Sequence, residues 1–157
     1  MTIGADSVIV FFGTQDQVDD GSTSTITNNA FSAAADVSTW TNDDDAPLGA
    51  AVLECQFDTT MPTVGSIGLF AHLLNVQGTN ESGVPDGSNE HVHVGTFRID
   101  FGVAADVNFF TIIPLFQMPM VKASQEVDWY LKNEGTGQTI GIDWNLWITP
   151  LTHGPHG

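Results

Sequence analysis

The sequence predicts an all-β fold, an antiparallel β-sandwich of jelly-roll type with about eight strands. Three observations lead to this prediction. Apolar and polar residues alternate with the two-residue period of strands in several segments, turns rich in Gly, Asn, Asp and Pro separate those segments, and few segments show helical spacing of apolar residues. Because 157 residues is the length of one domain, we expect residues 1–157 to form a single sandwich domain.

The first part of the chain is more polar than the rest. Residues 7–12 form a short β-rich run, and residues 15–29 are polar enough to be a loop or an extended arm. We therefore expect residues 1–45 to include a partly extended N-terminal arm. The alternation predicts further strands over residues 37–41, 49–58, 63–76, 91–103 and 107–116.

The most regular alternation lies in the closing segment, residues 125–149. Strand-like alternation before residue 134 resumes after residues 134–138, which contain two glycines. Because glycine supplies the positive φ angles that tight hairpin loops need, we predict a terminal β-hairpin. In this register Trp129 and Trp144 face the core, and Trp147 lies on the opposite face.

The charge of the chain excludes some partners. Lys and Arg number three against nineteen Asp and Glu, which gives a formal net charge of −16. Clusters of Lys and Arg bind phosphate backbones and anionic membrane surfaces, so we expect neither nucleic acid nor a membrane as a direct partner. The single cysteine, Cys55, lies in an apolar run and is expected to be a small buried hydrophobe. The N-terminus lacks the basic and apolar regions of a signal peptide, so we expect a protein made and assembled inside a cell.

Histidines and oxygen-bearing residues near residue 90 suggest a metal site. His91 and His93 share one strand face, and Asp86 lies in the loop before them. That loop, residues 85–90, offers oxygen ligands of the kind that calcium takes; no other cofactor is expected. The stretch H-V-H resembles the first motif of cupins, which are metal-binding jelly-roll enzymes, although residues 94–99 hold no Glu of the kind that motif expects. Two exposed histidines at a strand end are the alternative.

An unusually apolar strand predicts contact with another molecule. Residues 107–116 are nearly continuous in apolar residues, whereas a sandwich strand in a monomer has only one core-facing side. Such a strand is buried on both faces or meets another subunit. The predicted oligomer or partner interface consists of Phe109, Phe110, Ile112, Ile113, Phe116 and Trp147.

The closing residues V-D-W-Y-L-K-N and G-T-G-Q-T-I, together with the acidic charge and the sandwich pattern, resemble small virion proteins of tailed phages, of the capsid decoration or cement type. The resemblance is specific over the closing segment and extends to the rest of the chain only as architecture. It implies a non-enzymatic homotrimer that docks on the major capsid protein at the capsid surface after synthesis in the host cytoplasm. The sequence contains neither a G-x-S-x-G elbow nor an HExxH motif.

Three other functions stay open. A carbohydrate-binding sandwich module would use Trp40 or Trp147 with the loop at residues 77–89. A phage tail component would share the sandwich but occupy another place in the particle. A cupin-like metal enzyme would use His91 and His93 as ligands.

Overall fold

A computed structural model describes residues 8–90 and 92–155 of the chain. Within these residues nine strands form two antiparallel sheets, which confirms the predicted all-β sandwich. No helix in the same residues has the length and hydropathy needed to cross a bilayer. The strands are β1 (Val8–Phe12), β2 (Asp16–Asp20), β3 (Thr39–Asn42), β4 (Leu48–Cys55), β5 (Ser66–Leu73), β6 (His93–Phe97), β7 (Phe109–Gln117), β8 (Gln125–Glu134) and β9 (Asn145–Pro155).

The strand order is that of a jelly roll. In the first sheet β1 and β2 pair with successive stretches of β9, and β4 and β7 follow; in the second sheet the order is β3-β8-β5-β6. If β1 and β2 are taken as two halves of one interrupted strand, the described chain has eight strands. Their order is then first-eighth-third-sixth in one sheet and second-seventh-fourth-fifth in the other. The topology therefore confirms the predicted jelly roll.

The core lies between the two sheets, and alternation decides which residues enter it. Along β4 every second residue is buried, and the strand ends at Cys55, where burial raises the pKa of the thiol. Trp129 and Trp144 are both 0% exposed, which confirms their predicted core positions. The Trp129 ring of the second sheet packs edge-on against Phe116 of the first, with ring centroids 5.9 Å apart. Aromatic contacts of this kind join the two sheets.

The predicted terminal hairpin is wrong. β8 pairs with β3 and β5 in the second sheet, whereas β9 pairs with β1, β2 and β4 in the first. Residues 135–144 cross from one sheet to the other, and Ile140 is held midway by bridges to Ile26 and Phe57. Because the chain is not a strand at this point, Ile142 leaves the predicted core face and is 44% exposed.

Residues 8–45 contribute strands to both sheets. The polarity of residues 15–29 predicts a loop or an arm, but β2 forms there because Val18 reaches the core and is 4% exposed. A register shift between Gln17 and Asp19 produces a bulge in β2. Farther along the same polar stretch, Ile26 is 1% exposed. This polar stretch is therefore held to the sandwich both by backbone pairing and by two buried apolar side chains.

Candidate docking face

The outer face of the second sheet is charged and partly covered. Glu126, Asp128 and Lys132 occupy outward positions on β8. Phe31 packs against Phe70 of β5 with ring centroids 5.1 Å apart, and the Lys132 Nζ lies 5.2 Å from the Phe31 centroid. As a result Phe70 is only 2% exposed, although it does not belong to the core between the sheets. Phe31 of the same chain therefore covers part of this outer face.

The outer face of the first sheet is apolar and exposed. Along β7, Phe110, Ile112 and Leu115 are 65%, 57% and 57% exposed. Ile112 lies opposite Val52 on β4, and Val52 lies opposite Trp147 on β9. Both Val52 and Trp147 are half-buried. The strand register thus places one apolar row across three strands of the sheet.

The same face continues toward β1. Leu48 of β4 lies opposite Leu151 of β9, which in turn lies opposite Phe12 of β1. Phe12 is 74% exposed. We call the exposed and half-buried apolar residues on the outward side of the first sheet the docking face: Val10, Phe12, Leu48, Ala50, Val52, Phe110, Ile112, Leu115 and Trp147.

Carboxylates are rare on the docking face. Among the described residues that point outward from the first sheet, the acidic ones are Asp20 and Glu54. Both lie opposite Asn145, at one end of the docking face. The whole chain carries nineteen Asp and Glu against three Lys and Arg. The centre of the docking face is therefore a surface that another molecule can approach closely with little repulsion or desolvation of charge.

A cleft opens where the docking face meets the edge of the sandwich. It has a volume of about 630 Å³ and is lined by Thr96, Arg98 and residues 110–114. The Thr111 Oγ1 donates a hydrogen bond to the Arg98 carbonyl oxygen at 2.6 Å, which ties the end of β6 to β7. Within the described chain, the Arg98 guanidinium forms no ion pair. A cation beside an apolar wall suits a partner surface that combines apolar side chains with a carboxylate.

The structure separates the predicted interface residues into two groups. Phe109, Ile113 and Phe116 point into the core and are 5%, 7% and 6% exposed. The others lie on the docking face: Phe110, Ile112 and Trp147. Contact with another molecule stays a prediction, and it now concerns the outward group.

The predicted metal ligands have separate surroundings. His91 lies outside the described residues. His93 is exposed, and its Nε2 lies 3.2 Å from the Thr96 Oγ1. Asp86 Oδ1 accepts hydrogen bonds from the backbone N–H groups two and three residues farther on, at 2.6 and 2.9 Å, so it serves as a turn-forming acceptor. Residues 8–90 and 92–155 contain no group of three His, Cys, Asp or Glu side chains that could hold a metal ion.

Trp40, the candidate sugar platform, is anchored on both sides. Its Nε1 donates a hydrogen bond to the Asp16 Oδ2 at 3.1 Å, and its ring is tilted against Trp129 with centroids 6.2 Å apart. It lines a cleft of about 180 Å³ together with Asp43 and Asp44. Carbohydrate binding through Trp40 or Trp147 with the loop at residues 77–89 stays a prediction.

No protein-family model matches the chain, and no curated protein sequence is detectably similar to it. Among solved structures, it is similar to part of a chain in the structure of infectious bursal disease virus, Gx strain, with 12% sequence identity and a TM-score of 0.37. The match covers 95% of this chain and 36% of that chain, so this chain spans little more than a third of the viral chain's length. A TM-score this low is compatible with unrelated folds, so the jelly-roll assignment rests on the strand order alone.

Proposed function

We propose that this chain is a structural protein of a virus particle, which attaches through the docking face to the capsid and stabilises it as a decoration protein. The docking face supplies the means of attachment. The resemblance of the closing segment to tailed-phage decoration proteins supplies the class of partner, the major capsid protein. In this role the chain performs no chemistry; it covers a site on the capsid surface after synthesis in the host cytoplasm.

The exposure of large apolar side chains on the docking face carries the proposal. Phe110 and Ile112 are more than half exposed, and they adjoin Val52 and Trp147 in one continuous surface. Contiguous exposed apolar surface marks sites where proteins bind one another. Its removal from water stabilises a complex by about 25 cal/mol per Å² before the costs of association are subtracted.

Charge supports a protein partner with a particular surface. The net charge of −16 opposes close approach over most of the molecule, whereas the centre of the docking face is uncharged. Arg98 adds a positive charge at the rim of this face, in the cleft next to Phe110. The expected capsid site is therefore apolar at its centre and carries a carboxylate near its rim.

Co-sedimentation with undecorated capsids tests the proposal. Ile112→Asp and Val64→Asp change the net charge equally, and their parent residues are 57% and 61% exposed, but Val64 lies in the β4–β5 loop, outside the docking face. Wild type and Val64→Asp should pellet with capsids, whereas Ile112→Asp should stay in the supernatant while keeping a wild-type circular dichroism spectrum. The proposal is wrong if wild type fails to pellet, or if Ile112→Asp binds as well as Val64→Asp.

A tail component would use the same face on a different partner. Gold-labelled wild-type protein added to particles that lack it would show the difference by electron microscopy. Label distributed over the capsid supports the decoration role. Label confined to the tail means that the docking face is correctly identified but the capsid partner is not.

A further inference from the structure

The edges of the two sheets carry features that discourage strand pairing, except at β1. β7 contains Pro114, β3 is four residues long, and β6 has an irregular register with β5. β2 has a bulge and three acidic residues. Short strands, bulges, prolines and charges all protect sheet edges from pairing with other chains. By contrast, β1 reads V-I-V-F-F and pairs with β9 in unbroken register.

β1 also projects beyond the rest of its sheet. The pairing of β4 with β9 ends at Leu151, so the last four residues of β9, Thr152 to Pro155, pair with β1 alone. The result is a two-stranded ribbon at one end of the sandwich. Val10 and Phe11 lie on opposite faces of this ribbon, and each is 49% exposed. Apolar side chains are therefore exposed on both of its faces.

Among residues 8–90 and 92–155, β1 pairs with β9 along one edge, and no strand pairs with its other edge. Its outward N–H and C=O groups can therefore accept an added strand. The added strand has to be extended, apolar on both faces and uncharged, since burying a charge beside Val10 and Phe11 would be costly. β1 is itself extended and uncharged, and Val10 and Phe11 make both of its faces apolar.

We propose that β1 pairs antiparallel with β1 of a second copy about a two-fold axis. The ribbon formed by β1 and the end of β9 contains no Asp, Glu, Lys or Arg, so the contact buries no carboxylate, ammonium or guanidinium group of either copy. The contact is isologous, because one strand serves as both halves of the interface. It gives a two-fold pair in place of the homotrimer that the family resemblance implies.

This pairing changes what the docking face can do. It makes the first sheets of two copies continuous, in the order β7-β4-β9-β1-β1-β9-β4-β7. A two-fold axis perpendicular to the sheet leaves both docking faces on the same side. The pair then presents two attachment surfaces to one capsid, and simultaneous attachment raises avidity. The strand pairing itself does not depend on capsid docking, so the two proposals can fail separately.

Sedimentation equilibrium of Val10→Asp and Val84→Asp tests the pairing. Their parent residues are 49% and 46% exposed, and the two variants have the same net charge. Wild type and Val84→Asp should sediment as dimers, and Val10→Asp should have a Kd at least about tenfold higher, because like charges in paired strands are destabilising. If Val10→Asp keeps the wild-type mass, or wild type is a monomer throughout the micromolar range, the proposal is wrong. If Ile112→Asp has a lower molecular mass than wild type and Val10→Asp does not, the two copies associate through the docking face and the strand pairing is wrong.

Cysteine cross-linking provides a second test that needs no destabilising charge. The native Cys55 is buried, so wild type is the unreactive control. Under mild oxidation at least one of Val10→Cys, Phe11→Cys and Phe12→Cys should form a disulfide dimer by itself, because a residue near the two-fold axis faces its own copy. Dimers of Ile112→Cys alone would mean that docking faces meet each other. Dimers only in a mixture of Val10→Cys and Ile112→Cys would mean head-to-tail packing. Either result, or no dimer at all, overturns the proposal.

Discussion

Ile112 and Ile113 are neighbours in the sequence but lie on opposite faces of β7. Ile113 is 7% exposed in the core, and its Cδ1 approaches β6 so closely that a Cβ added at Gly95 would lie 2.9 Å away. Ile112 is 57% exposed on the docking face. The same substitution at these two positions should therefore have different consequences.

Ile113→Asp should unfold the protein, and Ile112→Asp should leave it folded. A carboxylate at position 113 would be buried without a partner, which costs several kcal/mol, whereas water solvates one at position 112. Thermal melts followed by circular dichroism would measure both variants, which have equal net charge. If both melt within a few degrees of wild type, β7 does not turn Ile113 toward the core and Ile112 toward solvent.

Alternation predicts the face of a residue because its two-residue period is a local property. Trp129 and Trp144 are buried and Trp147 is half-buried on the outer face, as their positions predict. Pairing between strands is a long-range property that alternation does not encode. For this reason the sequence suggests a hairpin of β8 and β9, although a jelly roll places its last two strands in opposite sheets.

The docking face could be predicted only in part. Phe110 and Ile112 attract notice because they are large residues in a strand that is apolar on both faces. Val52 does not attract notice, because β4 reads L-G-A-A-V-L-E-C. Its inward and outward positions are both apolar, so the strand shows no alternation of apolar and polar residues. Only the cross-strand register of Ile112, Val52 and Trp147 joins them into one surface.

Trp144→Ala should destabilise the fold by about 3–5 kcal/mol, the usual cost of removing a fully buried aromatic ring. Trp147→Ala is the control, since that ring is only half-buried and should cost clearly less. Urea unfolding followed by far-ultraviolet circular dichroism gives both values. Equal losses in the two variants would show that Trp144 does not occupy the core.

Gly21→Ala should destabilise the wild type but cost much less in the Trp144→Ala variant. A Cβ at position 21 would lie 2.1 Å from the Trp144 Nε1, and the Gly21 N–H is fixed by a 2.8 Å hydrogen bond to the Trp144 carbonyl oxygen. Without the indole, the added methyl group enters the vacated space. A double-mutant cycle measured by urea unfolding should give a coupling of at least about 1 kcal/mol. Additive effects would contradict this packing.

Asn133→Ala should cost about 2–4 kcal/mol, far more than Asn28→Ala. Asn133 is 0% exposed; its Nδ2 donates to the carbonyl oxygens of Ile26 and Gln138 at 3.0 and 2.8 Å, and its Oδ1 accepts from the Thr136 Oγ1 at 2.6 Å. Truncation removes three hydrogen bonds of a fully buried side chain, each of which contributes about 0.5–1.5 kcal/mol to stability. The exposed Asn28 accepts one hydrogen bond in the same loop, so water can replace it. Comparable losses in urea unfolding would contradict the network.

Asp19 should make stability depend on pH. It is 2% exposed, and burial raises its pKa from 3.8 to about 8. The hydrogen bond that the Ser38 N–H donates to Asp19 at 3.0 Å lowers the pKa. The negative charges of Asp128 and Asp36 raise it. Between about pH 4 and about pH 8, unfolding releases a proton from this carboxyl group, so its contribution to the free energy of unfolding falls as pH rises and levels off above about pH 8.

Asp19→Asn should remove that decline. Relative to wild type, the variant should gain stability with rising pH, by at least about 1 kcal/mol between about pH 5 and about pH 9, because a shift of one pKa unit corresponds to about 1.4 kcal/mol. Asp20→Asn is the matched control, since Asp20 is exposed and its substitution changes the net charge by the same amount. Urea unfolding at several pH values measures the difference. If the Asp19→Asn and Asp20→Asn curves run parallel, Asp19 is ionised in the folded protein and its carboxylate has a partner or solvent access that the buried geometry does not provide.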